Sequence, residues 1–211
     1  MHYRIVDTNV QSRELEQALQ GRLQISQGFR GIGYDRVGNP TTLTVKTWHR
    51  YRESIENLLV VQEVPELVWL ESAETTGTEN PTAIPAAPGL NTASFRTVQQ
   101  SLGTAIRPAA DPFALSPELV VKVSSRSGAE GNQVAIELTS VGRKELEKHD
   151  SDSAGGIGLV IGGVVEALAP IESISQKSIT FELPKTSNYT PRSITAGIRG
   201  PHVPTPLERL E

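Results

Sequence analysis

The side chains that most often catalyse reactions or bind metals are few and scattered in this sequence. No histidine has a second histidine three or four residues away, the spacing that places two imidazoles on one face of a helix. The four histidines are His2, His49, His149 and His202. Cysteine is absent, which excludes disulfides, thiolate nucleophiles and cysteine-ligated zinc or iron–sulfur sites. The sequence therefore predicts no metal site and a reducing compartment.

The serine and glycine motifs of common enzyme families are absent as well. There is no G-x-S-x-G elbow and no Ser-x-x-Lys pair at a helix start. The segment that begins at Asp150 resembles a calcium loop, but Ile161 stands where the bidentate carboxylate is required. The glycines between Gly156 and Gly163 do not have the spacing of a dinucleotide fingerprint. We therefore predict that the protein is not an enzyme and binds no cofactor.

Charge and hydropathy limit the partners of the chain. The formal net charge is −4, so no basic field exists to attract a nucleic-acid backbone. The N-terminus lacks the basic and apolar segments of a signal peptide. The longest apolar stretch, residues 155–169, holds five glycines and Glu166, and it is shorter than the ~20 residues of a membrane-spanning helix. We interpret it as buried strands joined by a glycine turn, in a cytoplasmic protein without nucleic-acid or membrane partners.

Helical and strand patterns alternate in the first third of the chain. The spacing of Thr8 and Gln11 predicts a capping box for a helix that ends near Gly28. Its leucines recur every four residues, which places them on one face. Further predicted elements are strands over 3–6 and 67–70, a β-hairpin over 29–48 and a helix over 50–59. We interpret residues 1–71 as a small α+β unit.

Prolines divide the middle of the chain. Residues 72–91 contain Pro81, Pro85 and Pro88, and neither a helix nor a central strand persists through that spacing, so this segment is predicted to be a linker or arm. Residues 92–117 follow helical spacing as far as Ile106 and then form a connector.

The last part of the chain has the period of two that is typical of strands. Apolar residues alternate over 119–123, 134–138, 179–183 and 194–198. A charged insertion at 142–156 is predicted to be a surface loop, and the tail 201–211, which holds three prolines, to be extended. Residues 118–200 thus read as an antiparallel β-sandwich or barrel. The predicted fold class is α+β and β-rich, with a small N-terminal helix and hairpin unit before this β-domain.

One segment resembles a known family. Val121 to Leu138 contains S-x-x-G-x-x-G-N, in which Gly128, Gly131 and Asn132 form a turn motif between two strands. Glycine permits a positive φ in such a tight connection, and Asn tolerates the left-handed region. This segment is similar to the strand–turn–strand of contractile tail sheath proteins of phages and related injection systems. The looser similarity extends over residues 117–200.

The resemblance implies a structural role in a virion or phage-tail-like particle, as a tail, neck or baseplate component. Such a protein acts as a homo-oligomer that docks to other virion or tail proteins, and it is cytoplasmic before assembly. Two alternatives remain open from the residues themselves. One is a cytosolic protein-binding or scaffold module without catalysis. The other is an enzyme whose site combines dispersed carboxylates, such as those of Glu63, Glu71, Asp150 and Asp152.

Overall fold

The chain folds into two antiparallel sheets with helices packed beside them. A computed structural model describes residues 1–7, 9–24, 26–71, 84, 85, 87, 105–108, 112–128, 131–148, 154–170 and 176–210. Within these ranges the fold is α+β and strand-rich, and the larger sheet curls into a half barrel. The predicted fold class is confirmed.

Strands outnumber helices in the described part of the chain. The strands are β1 (His2–Ile5), β2 (Phe29–Tyr34), β3 (Thr42–Thr47), β4 (Glu66–Glu71), β5 (Ile84–Pro85), β6 (Ala105–Pro108), β7 (Phe113–Ala114), β8 (Val120–Gly128), β9 (Gly131–Leu138), β10 (Ala154–Ile161), β11 (Val164–Pro170), β12 (Ile179–Leu183) and β13 (Leu207–Leu210). The helices are α1 (Ser12–Leu23), α2 (Arg52–Leu59), α3 (Ser140–Lys148) and α4 (Pro191–Arg199). His49–Tyr51 and Pro117–Leu119 form short 3₁₀ turns.

The small sheet has the order β13-β1-β3-β2. Helix α1 covers it through Leu15, Leu19 and Leu23, which the four-residue spacing places on one face and which are fully buried. Helix α2 adds Ile55 and Leu58 to the same core. Strand β13, the last of the described strands, pairs with β1, the first. The small sheet thus combines residues from both ends of the described sequence.

The larger sheet has the order β5-β6-β4-β10-β11-β12-β9-β8, and β7 pairs with β4. Its core includes Trp69, Leu159 and Phe181, all of which are buried. The Trp69 indole Nε1 donates a hydrogen bond to the Leu146 carbonyl at 3.2 Å, so the largest core side chain also holds α3 against the sheet.

The glycine-rich stretch forms two buried strands and a tight turn, as predicted. Strands β10 and β11 pair directly, and Gly162 and Gly163 between them have φ values of 59° and 74°. A turn with two successive positive φ values matches the twist of a hairpin, and glycine adopts it without the steric cost of a Cβ. This hairpin places its turn at the edge of the candidate site described below.

The strand predicted over 194–198 is wrong, because these residues lie in α4. The apolar residues Ile194, Ala196 and Ile198 alternate, but the helix is buried on most sides, including at Ser193 and Gly197, so the alternation does not mark one face of a strand. A capping box decides the local structure: the Thr190 hydroxyl accepts from the Ser193 amide at 3.1 Å, and Ser193 Oγ accepts from the Thr190 amide at 3.0 Å. Pro191 at the first helical position adds to it.

Three other sequence expectations need correction. The insertion predicted as a loop over 142–156 begins with α3, which Thr139 caps by accepting from the Gly142 amide at 3.0 Å. The helix predicted to reach Ile106 does not, because Ala105–Pro108 pairs with β4, and residues 92–104 lie outside the described part. Helix α1 begins at Ser12 and ends at Leu23, so the predicted end near Gly28 is wrong, and Thr8 of the predicted capping box lies outside the described residues.

The predicted domain boundaries stay predictions, and the sheets add two facts to them. Strand β4, assigned above to the unit 1–71, pairs with β10 of the larger sheet. Strand β13, in the predicted tail 201–211, pairs with β1 of the small sheet. Most of the predicted linker 72–91 lies outside the described residues.

Candidate functional site

A cleft of about 440 Å³ lies between the two sheets. Its floor is the connection between α2 and β4, including Val60, Gln62 and Glu63. One wall is formed by Ile161 and Gly162 of the glycine turn together with Tyr189, and the opposite wall by residues 202–207. The cleft therefore draws on four distant parts of the chain, which only the fold brings together.

The Gln62 side chain fixes the floor of the cleft to its C-terminal wall. Its Nε2 donates to the Leu207 carbonyl at 2.9 Å, and its Oε1 accepts from the Leu207 amide at 2.5 Å. These are the two hydrogen bonds that a neighbouring strand would make with Leu207. A side-chain amide thus replaces a strand at the start of β13.

The C-terminal wall is an irregular segment that bends at residues 204–205 before β13. Thr205 Oγ1 accepts from the Asp7 amide at 2.9 Å, and the Pro206 carbonyl accepts from the Val6 amide at 3.1 Å, which attaches the segment to the small sheet. Among the described residues, however, the backbone amides of Val203 and Thr205 find no acceptor. Both residues are only 2% exposed, so these amides are buried within the segment.

Acidic groups lie near Tyr189, although Glu166 does not itself line the cleft. Glu166 is only 4% exposed, and its Oε2 accepts from Ser187 Oγ at 2.9 Å. Burial raises the pKa of Glu166, and the Ser187 hydrogen bond partly offsets that rise. A Cβ placed on Gly162 would lie 3.8 Å from Glu63 Oε2 and 3.9 Å from the Tyr189 hydroxyl, so both polar ends converge on the turn. The pKa of the Tyr189 phenol is raised by burial and then by Glu166 and Glu63.

Nowhere in the described ranges do three or more His, Cys, Asp or Glu side chains group as a metal site would need. Of the four dispersed carboxylates considered from the sequence, Glu63 lines the cleft. Asp150 and Asp152 lie outside the described residues, as does the side chain of Glu71.

The turn motif taken from the sequence lies elsewhere. Gly128 pairs with Gly131 and Ser127 with Asn132 where β8 and β9 meet, and Gly131 has a φ of 126°. None of these residues lines the cleft. Sequence reasoning missed Gln62, Tyr189 and the wall 202–207. The local signal there was the pair of prolines at 204 and 206, which removes two backbone donors from that segment.

Comparisons with known proteins place the fold. No protein-family model and no curated protein matches the sequence. Two solved chains match the structure over 99% of this chain. Both are SecDF. One is SecDF in a super-membrane-facing form, with a TM-score of 0.60 and 14% identity; the chain spans 29% of its length. The other is described as a membrane component that enhances protein export, with a TM-score of 0.57 and 13% identity over 96% of that chain.

These likenesses establish a shared fold and overturn the resemblance to phages. The neighbours are SecDF chains, so the similarity to contractile tail sheath proteins is wrong, and so is the predicted role as a virion or phage-tail assembly protein. The physical reason is that a glycine-containing hairpin is a local solution to a tight turn, which unrelated antiparallel folds reach independently. No helix in the described ranges has the length and apolar character needed to cross a membrane.

Glu166 predicts a pH dependence of stability in the SecDF-like fold. A carboxyl whose pKa is raised by folding contributes stability that is complete below its ordinary pKa of 4.5 and is lost as the pH rises through the higher folded value. Glu166→Gln cannot ionise and still accepts from Ser187. We expect its melting temperature to equal that of the wild type near pH 4 and to exceed it at pH 8.

Thermal unfolding by circular dichroism across this pH range measures the effect. The matched control is Glu53→Gln, at an exposed position of α2, which should follow the wild-type curve. A Glu166→Gln protein that is less stable than the wild type at pH 8 would show that the ionised carboxylate stabilises the fold.

Proposed function

We propose that this chain is a SecDF-like domain that binds extended polypeptide segments in its cleft during protein export, by contact and without a catalytic step. The observation that carries the proposal is the similarity of fold over 99% of this chain to SecDF, which is described as a membrane component that enhances protein export. Fold alone does not determine function, so the cleft has to supply the chemistry.

The C-terminal wall supports recognition of an extended backbone. The wall continues into β13, which is the last strand at its end of the small sheet. An incoming segment would therefore hydrogen-bond along an existing edge, which gives affinity with little dependence on sequence.

The charge of the cleft selects among polypeptides. Glu63 lines the cleft. The pKa of the nearby Glu66 is raised mainly by burial and further by the negative charge of Glu63. The chain as a whole carries a net charge of −4. Basic segments are therefore favoured over acidic ones, and the preference should weaken as salt screens the charges.

A pair of exposed valines tests the proposal. Val60 is 43% exposed and lines the cleft, whereas Val141 is 57% exposed on α3, outside it. We expect Val60→Lys to weaken binding of a labelled, extended basic peptide by about tenfold, or about 1.4 kcal/mol, because it adds like charge and removes an apolar contact. Val141→Lys should bind as the wild type does, as measured by fluorescence anisotropy. Equal effects of the two substitutions, or no binding by the wild type, would refute the cleft as the site.

Several earlier expectations stay predictions. The homo-oligomer, the lack of nucleic-acid partners and the cytoplasmic location are independent of binding in the cleft. The expected absence of a membrane partner is the one that this proposal replaces, because a role in export associates the chain with membrane machinery.

A further inference from the structure

A second cavity, of about 320 Å³, lies between α1, α2 and one face of α4. It shares no lining residue with the cleft. Three of the side chains that line it are arginines: Arg22 from α1, and Arg192 and Arg199 from α4. Among the residues that the structure describes, no acidic side chain lines it. The cavity is thus an open pocket with three positive charges in a protein whose net charge is negative.

Arg22 is the unusual member of the group because it is only 1% exposed. Its Nε donates to the Pro201 carbonyl at 2.6 Å, and its Nη1 donates to the Val61 carbonyl. Its Nη2 is buried and has no hydrogen-bond partner. Burial lowers the pKa of Arg22 to about 10, so the guanidinium still carries its charge at neutral pH.

Two carbonyl groups do not neutralise a buried cation. No carboxylate pairs with Arg22 among the described residues. A buried charge without a counter-charge is costly, and a buried donor without an acceptor adds to that cost. The glycine at position 200 makes room for the Arg22 side chain, because a Cβ there would lie 2.6 Å from Arg22 Cγ.

Arg192 and Arg199 complete the group. They lie seven residues apart, two turns of α4, and therefore on the same face of the helix. Both are exposed, and within the part of the chain that the structure describes neither side chain makes a hydrogen bond or an ion pair. Two unengaged guanidinium groups are thus available at the mouth of a cavity that holds a third.

We propose that this cavity binds a phosphate group, which hydrogen-bonds to Arg192 and Arg199 at the mouth while the uncompensated charge of the buried Arg22 attracts it from behind. The planar guanidinium fork matches phosphate oxygens, and charge-assisted hydrogen bonds of this kind are about twice as strong as neutral ones. A doubly charged oxyanion fits three cationic groups better than a single carboxylate does. The phosphate comes either from a free phosphate or phosphomonoester, or from the headgroup of an anionic lipid.

Calorimetric titration with inorganic phosphate tests the site. Arg192→Gln combined with Arg199→Gln changes exposed positions and leaves the buried Arg22 intact, so the fold is preserved. We expect this double variant to bind phosphate at least about tenfold more weakly than the wild type. The control, Arg13→Gln with Lys185→Gln, removes the same charge from exposed positions that do not line the cavity and should retain wild-type affinity.

The outcomes separate the possibilities. Equal weakening by both double variants would mean that phosphate responds to net charge alone and would overturn the proposal, as would an absence of binding by the wild type. Vesicles of phosphatidylcholine with and without phosphatidic acid distinguish the two sources. Binding to the acidic vesicles that free phosphate displaces assigns the headgroup, whereas phosphate binding without vesicle binding assigns a soluble phosphate. Peptide binding in the cleft is measured separately, so either site can fail alone.

Discussion

Arg22→Met is expected to lower the free energy of unfolding by about 3 kcal/mol. The substitution leaves the carbonyls of Val61 and Pro201 without their donor, and hydrogen bonds from a charged group contribute about 1.5–3 kcal/mol each. Methionine fills much of the same volume and removes the cost of a buried charge, which keeps the loss below the sum of the two bonds. Denaturant unfolding measures the change.

The control for this prediction is Arg13→Met, which makes the same chemical change at an exposed position of the same helix. It should alter stability by less than about 0.5 kcal/mol. If Arg22→Met were as stable as the wild type, the two backbone contacts would contribute no more than the cost of burying the charge.

Gly197→Ala should destabilise the protein by about 2 kcal/mol, although alanine is the better helix former. A Cβ at this position would lie 2.3 Å from Val61 Cγ1, closer than real atoms approach. Overpacking in a fixed core costs about 1–3 kcal/mol, while the gain in helix propensity is about 1 kcal/mol at most. The close approach lets α4 contribute Ile194 and Ile198 to the larger core and Ala196 to the smaller one.

A double-mutant cycle identifies the cause. Val61→Ala removes the methyl groups that the new Cβ would meet, so the double variant should be more stable than the sum of the two single changes predicts. Gly33→Ala is the control, because a Cβ there would meet only Lys46 Cε, at 4.0 Å. Additive losses in the cycle would mean that the effect of Gly197→Ala does not arise from contact with Val61.

The elements that the sequence predicted correctly are those whose patterns are local. Leucines at 15, 19 and 23 define one helical face, and alternation over 134–138 and 179–183 defines two strands. Alternation failed over 194–198, where a buried helix happens to satisfy both periods. The signal that decides it was present in Thr190, Pro191 and Ser193, since a capping box and a proline at the first helical position are also local.

The candidate site was largely beyond sequence reasoning. Gln62 becomes important because its amide meets Leu207, 145 residues away, and no spacing rule relates the two. Arg22 reads from the sequence as a solvated residue on the polar side of α1, and only the approach of α4 and residue 201 buries it. The turn motif of residues 128–132 shows the opposite problem, because a strong local pattern carried no information about the family.

Site-specific photo-cross-linking tests the central claim, that the cleft holds an extended polypeptide. A photoreactive residue at position 202 lies on the cleft wall, and one at position 49, also an exposed histidine, lies outside it. We predict that a labelled basic polypeptide cross-links at 202, that unlabelled peptide competes for it, and that position 49 gives no product. Equal labelling at both positions, or labelling at 49 alone, would contradict the account.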